Sequence, residues 1–276
     1  MSWDCFKLLE MVNSGDDELE NYMKPQIKLA TTSTPDGGVM ELYEHDRDYS
    51  IRINGLELMN SRQHESEQEL ARLGCSHLTD RKAASVLIGG LGMGYTLRQA
   101  LDILAPDANI VVSELLTAVI DWNREYFGEL NTQALDDKRV AIVTGDISEL
   151  ISQSVGKFDA ILLDVDNGPT AMTDSGNQRL YSSPGILACR HALRKQGRLA
   201  IWSTEPSKAF ERLMLNCGFQ VRRYKVKAYP GSNAKKLFIW VAAEDATVLP
   251  PGGGEPRPSV KKAPAEKRKS KLFRKK

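Results

Sequence analysis

The chain has 276 residues, 41% hydrophobic and 26% charged, with a formal net charge of +1. That composition excludes collagen-like, low-complexity and disulfide-stapled classes, and the four cysteines (Cys5, Cys75, Cys189, Cys217) lack any paired spacing suited to zinc. The near-neutral total hides an asymmetry: Pro251 to Lys276 carries ten Lys or Arg against two acids, so a tail of net +8 follows a body of net −7.

The N-terminus "MSWDCFKLLEMVNSGDDELE" has acids where a signal peptide starts positive, and no apolar run approaches the ~20 residues of a membrane span. A cytoplasmic protein without a membrane partner is expected. Residues 1–38 read as an amphipathic helix and a polar linker ending in "TTSTPDGG". Residues 39–80 read as a small antiparallel meander of two or three strands, broken at "HDRD" and "NG". A helix carrying Leu70, Leu73 and Leu78 follows it.

From Ser85 strands and helices alternate. "SVLIGG", "NIVVSE", "RVAIVTGD", "FDAILLDVD" and "GRLAIWST" are strands, and helical stretches such as "GYTLRQALDIL" and "LTAVIDWNREYF" separate them. Such alternation implies a parallel sheet covered on both faces. The last two strands, "FQVRRYKVK" and "KLFIWVAA", leave no room for a helix between them and must pair antiparallel. A mostly parallel seven-stranded sheet ending in an antiparallel hairpin is the arrangement of class I S-adenosylmethionine-dependent transferases. Residues 81–244 are therefore expected to form a Rossmann-like, nucleoside-binding α/β domain. Residues 245–276 offer too few apolar side chains to offset the entropy of ordering them and read as a disordered basic tail. A solubilising role is the first reading of that tail, and nucleic-acid contact the second.

"VLIGGLGMGYTLRQA" places Gly89, Gly90, Gly92 and Gly94 between a strand and a helix. Glycines there let the backbone turn tightly against a ligand, and the helix start supplies free N–H donors. Glu114 ends the next strand, where an acid can accept hydrogen bonds from ribose hydroxyls. Asp146 ends the third, suited either to an adenine amino group or to capping the helix that follows. Asp164 and Asp166 close the fourth in "LLDVDNGP". No Lys follows the glycine loop and the crevice is acidic, which disfavours a phosphate and suits a nucleoside carrying a cationic sulfonium. An S-adenosylmethionine-type co-substrate is expected, and no metal.

These residues resemble the spermidine and spermine synthase family, the polyamine aminopropyltransferases, over roughly residues 39–243. The likeness lies in the glycine loop, the acid ending the second strand, "DDKRVAIVTGD", "FDAILLDVDNGP", "LYSSPGI" and "GRLAIWS". The resemblance implies nucleoside contacts from Gly90, Gly92, Glu114, Asp146 and Ile147, and Asp164 as the acid that orients and deprotonates an attacking amine. It also implies decarboxylated S-adenosylmethionine as donor, and a homodimer.

The departures fall around the polyamine pocket. Met93 stands where the family's loop usually has an Asp, Asn167 where a second acid is usual, and Trp202 where Gln is frequent. The Gln expected after the "NG" turn falls on Leu58–Met59, and an acidic and tyrosine pattern is replaced by "RQHESEQE", with Glu65 or Glu67 as substitutes. Met93 is expected to pack, and His64, alone at a helix start, to be solvated.

Three functions are in play. One is aminopropyl transfer to an amine, with Asp164 as base and Asp166 holding the acceptor's charge. Another is methyl transfer from S-adenosylmethionine to a small amine or other nucleophile, which the missing acid at Met93 favours. The third is non-catalytic nucleoside binding, with a tail that engages nucleic acid.

Overall fold

A computed structural model describes residues 25–165, 179–229 and 237–254. The expected helix at the extreme N-terminus therefore lies outside the described residues, as does Asp166.

Four strands come first: β1 (Ile27–Ser33), β2 (Val39–His45), β3 (Asp48–Ile53) and β4 (Leu56–Asn60). They form an antiparallel sheet in the order β1-β2-β3-β4. β1 corrects the expectation of a linker up to residue 38, because Thr31, Thr32 and Ser33 pair with Glu41, Met40 and Val39. The polar, β-branched composition that suggested a linker suits an edge strand with one solvated face. Asn54 and Gly55, both at positive φ, make the tight turn between β3 and β4.

Helix α1 (Glu65–Cys75) leads into the α/β region. There β5 (Ser85–Gly89), α2 (Tyr95–Ile103), β6 (Asn109–Glu114), α3 (Thr117–Glu125), the short α4 (Gly128–Asn131) and β7 (Val140–Thr144) follow in turn. Next come α5 (Ile147–Ser152), β8 (Phe158–Leu163), α6 (Ser183–Ala192), β9 (Leu193–Ser203), α7 (Lys208–Asn216), β10 (Gln220–Val226) and β11 (Leu237–Ala243). The sheet order is β10-β11-β9-β8-β5-β6-β7. The pairs from β9 across to β7 are parallel, and β11 inserts antiparallel between β9 and β10. This is the class I transferase arrangement, a mostly parallel seven-stranded sheet closed by an antiparallel hairpin.

The alternating side chains of the sheet feed two cores. Val86 and Ile88 face one with Leu70, Leu97 and Val119 from α1 to α3. Leu87 faces the other with Ile147, Ile186 and Phe210 from α5 to α7. Each large apolar side chain so buried contributes about 1.5–3 kcal/mol relative to exposure. The apolar run "FDAILL" is buried throughout as β8, and its one charge, Asp159, is met by Arg81, Arg194 and the Ser85 N–H.

Met40, Leu42 and Ile51 of the small sheet belong to the first core, and Tyr49 packs edge-on to Phe127 at 5.2 Å. The small sheet thus shares a core with the α/β region and roofs one end of it.

The expectation of disorder from residue 245 onward also needs correction. Asp245 caps a short 3-10 turn at Ala246–Val248, Leu249 is buried, and the Pro250 carbonyl accepts from Tyr224 Oη at 2.6 Å. Gly254 then exchanges backbone hydrogen bonds with Arg223. A few apolar and capping groups suffice because β10 is already there to receive them. Among the described residues, no helix is long and apolar enough to cross a membrane.

Candidate active site

A cavity of about 490 Å³ runs along the carboxyl ends of the parallel strands, beneath the small sheet. β5 and β8 are neighbours at its centre, where the chain order reverses. Open α/β sheets gather their ligands at such a point. The junction is tight, because Asp164 N–H donates to the Gly89 carbonyl at 2.9 Å.

Gly90 sits against this junction at φ +87°, and a Cβ there would meet the Asp164 carbonyl oxygen at 2.3 Å. Only glycine fits a left-handed conformation with backbone so close. Of the four loop glycines, Gly90 and Gly92 line the cavity, whereas Gly89 and Gly94 do not. Gly89 ends β5, and Gly94, in the left-handed region, starts α2.

Two buried asparagines brace the loop from behind. Asn123 Nδ2 donates to the Gly92 carbonyl at 2.8 Å, and Asn131 Nδ2 reaches the Met93 carbonyl at 3.3 Å. Neither carries a sequence signature, since each is a single amide among the mixed polar and apolar residues of its helix.

Glu114 ends β6 at the cavity wall, almost fully buried. Its Oε2 accepts from Leu91 N–H at 2.8 Å and its Oε1 from Leu116 N–H at 2.9 Å. The acid therefore holds the glycine loop and the start of α3 in register. Asp146 caps α5 through Ser148 N–H at 2.7 Å and also lines the cavity, as does Ile147. Both anticipated uses of Asp146 therefore remain compatible with its position.

Asp164 lies deep in the cavity. Its Oδ2 accepts from Thr96 Oγ1 at 2.9 Å, and burial still lifts its carboxyl from the ordinary 3.8 to about 6. Glu67, on the first turn of α1, faces the same space. Burial first, and then the Asp164 charge, push its carboxyl up to about 8. Both side chains retain an opening toward the cavity, so their desolvation reflects its depth rather than closure of their surface.

The two carboxyls resist ionising together, which makes the pair a proton-holding site that a cation would relieve. Of the two acids considered as substitutes, Glu67 lines the cavity, whereas Glu65 does not and pairs with Arg72 at 3.1 Å. Thr96 escaped notice, although its place on the first turn after the glycine loop was a usable signal.

Met93 is buried and also lines the cavity. His64 is not simply solvated: its ring stacks on Tyr95 at 4.4 Å, and its Nδ1 lies 2.9 Å from the Ser61 carbonyl. The aromatic body of Tyr95 shelters it from water. Among the described residues, no cluster of His, Cys, Asp and Glu is arranged to hold a metal ion.

The spermine/spermidine synthase domain model matches residues 67–227, more than half of the chain. A polyamine aminopropyltransferase of Saccharolobus islandicus is 31% identical over 127 residues, covering 46% of this chain and 41% of that protein. Another from Thermoanaerobacter sp. is 28% identical over 130 residues, covering 46% and 44%. The chain thus spans less than half the length of these curated relatives. The crystal structure of spermidine synthase from Thermotoga maritima aligns with a TM-score of 0.65 and 20% identity, over 81% of this chain and 76% of that one. A second aligned spermidine synthase, with the same TM-score and identity, is in complex with the transition state analogue AdoDATO. The matched stretch runs from Glu67, one of the two facing carboxyls, to the end of β10 and holds most of the residues that line the cavity, and this chain belongs to the spermine/spermidine synthase family.

Proposed function

We propose that this protein transfers an aminopropyl group from decarboxylated S-adenosylmethionine to an amine. The donor nucleoside would lie over Gly90 and Gly92, with its ribose toward Glu114 and its base toward Asp146 and Ile147. The donor supplies a sulfonium, which leaves as a neutral thioether when its methylene carbon is attacked.

The chain's own task is to deliver a neutral amine to that carbon. An ammonium has no lone pair, so one of its protons must leave before attack. Asp164, ionised above about pH 6, attracts the cation and takes up that proton. The amine nitrogen then forms a bond to the methylene carbon as the carbon–sulfur bond breaks and its electron pair returns to sulfur. Thr96 fixes the Asp164 carboxyl, and Glu67 adds a second carboxyl that ionises as positive charge arrives. Positioning and local negative charge account for most of what such a reaction needs. Asp166 is proposed alongside Asp164 from its place in the sequence.

The observation that carries this reading is the pair of cavity carboxyls, Asp164 at the β5–β8 junction and Glu67 on α1. A methyl donor would bring a carboxylate of its own into this acidic cavity. Calorimetric titration with decarboxylated and with intact S-adenosylmethionine tests the difference. Tighter binding of the decarboxylated form is expected; tighter binding of the intact form would replace aminopropyl by methyl transfer.

A further inference from the structure

Thr96, on the first turn of α2, is buried at the cavity wall between α1 and the end of β8. Its Oγ1 lies 2.9 Å from Asp164 Oδ2 and 3.3 Å from the Glu67 backbone carbonyl. Both neighbours are acceptors when Asp164 is ionised, and a threonine hydroxyl has one proton to give. The carboxylate takes it, being both nearer and charged.

The same three groups still fit together once Asp164 is protonated. With the proton on Oδ1, Thr96 goes on donating to Oδ2. With the proton on Oδ2, the carboxyl donates to Oγ1, and the hydroxyl turns its own proton to the Glu67 carbonyl. Only a hydrogen moves, so the carboxyl keeps its place in either state. The two states are not equal: the ionised one has a charge-assisted bond, the protonated one only neutral bonds.

The other ionisable groups that line the cavity, among the described residues, have their own partners. Glu67 Oε2 accepts from Ser66 Oγ at 2.6 Å, and its carboxyl feels the Asp164 charge. Tyr95, beside Thr96, donates its Oη to the Ser61 carbonyl at 3.0 Å, and burial pushes its phenol up to about 12, so it stays neutral. Glu114 receives two backbone N–H groups, and Asp146 caps α5. Glu57, at the exposed edge, accepts from Asn60 Nδ2 at 2.7 Å.

We infer that Thr96 is the positioning residue for proton uptake by Asp164, holding that carboxyl in one place through both of its ionisation states and favouring the ionised one. The hydrogen bond belongs to the free protein, and its use in catalysis rests on the aminopropyl-transfer reading. In that reaction an N–H bond of the amine breaks, and its electron pair stays on nitrogen to attack the methylene carbon. An O–H bond forms on Asp164 without the carboxyl swinging away.

Two measurements test this. Infrared titration of the free protein follows the carbonyl band of protonated Asp164, identified by its absence in Asp164→Asn. A pH–rate profile with decarboxylated S-adenosylmethionine and 1,4-diaminobutane follows the acid limb of kcat/KM. Thr96→Val keeps the shape and removes the hydroxyl. The Asp164 midpoint should rise from about 6 by about one pH unit, and the limb with it. Thr96→Ser keeps the hydroxyl and should hold both near the parent values. Should Thr96→Val fail to fold, Thr96→Cys, whose thiol is a weak donor, should move the midpoint in the same direction.

An unmoved Asp164 midpoint in the folded variant lacking the hydroxyl overturns the inference, even where kcat/KM falls by one factor at every pH, as loosened packing would produce. Equal rises in Thr96→Ser and Thr96→Val would overturn it too, since the hydroxyl would not then be the cause. A raised midpoint in a protein that binds the donor but transfers nothing removes the aminopropyl-transfer reading and the catalytic use of Thr96, and leaves its hold on Asp164 standing.

Discussion

Asp164 and Glu67 place opposite demands on pH. As the proposed base, Asp164 must be ionised to accept a proton, so kcat/KM should fall as pH drops through about 6, a limb that a pH–rate profile reads directly. Asp164→Asn keeps the shape and the Thr96 contact but cannot take the proton. A loss of about 10²–10⁴ in kcat/KM is expected, with donor affinity nearly unchanged in the same titration.

Glu67 bears on stability as well. Its folded-state carboxyl lies above the ordinary 4.5, so the folded chain holds a proton that the unfolded chain releases. The stabilisation is complete below about pH 4.5 and is lost as pH rises toward 8. Glu67→Gln removes that dependence. At pH 8.5 the variant should melt higher than the parent by about 2–4 °C per kcal/mol regained, with the gap closing toward pH 5. A gap that is constant with pH would mean that Glu67 is not the titrating group.

Among the elements, the glycine loop is the most constrained. Gly90→Ala must both hold a left-handed φ and push its Cβ against the Asp164 backbone, whereas Gly37, at φ +86°, has open space around the same position. Gly37→Ala should therefore cost about 1–2 kcal/mol, the left-handed penalty alone. Gly90→Ala should cost more and weaken donor binding at least tenfold in calorimetry, because the β5–β8 junction has to open. Equal effects of the two substitutions would deny the close approach.

The sheet and this loop were legible because their signals are local. An apolar run ending in glycines, or a strand ending in an acid, announces itself within ten residues. What stayed hidden depends on distant partners. β1 looks polar until β2 lies beside it, and residues 246–254 look disordered until β10 supplies Tyr224 and Arg223. Thr96, Asn123 and Asn131 are ordinary helix residues whose meaning comes from a strand end or loop carbonyl 31 to 68 positions away. Glu67 stood out as an acid in "RQHESEQE", but only the packing of α1 against the sheet separates it from Glu65.

At the scale of the whole molecule, the chain's return across β10 matters to the fold. Arg198, nearly buried, donates to the Val248 carbonyl and also to Leu73 and Ser76, which ties the chain end to α1. A chain ending at Glu244 leaves that guanidinium short of a partner and exposes the surface under Leu249. A fall in Tm of about 4–10 °C is expected, following the loss of a buried charge's partner. A chain ending at Gly254 keeps all of these bonds and should melt like the parent. The small sheet and the α/β region share one core, so they should unfold in a single transition.

The most direct test of the account is the identity of the two products. The protein should be incubated with an amine and either form of the donor, and both products identified by mass spectrometry. Methylthioadenosine together with an amine heavier by one aminopropyl group, formed only with decarboxylated S-adenosylmethionine and lost in Asp164→Asn, is the result predicted. A methylated amine with S-adenosylhomocysteine, formed from the intact donor, would contradict it.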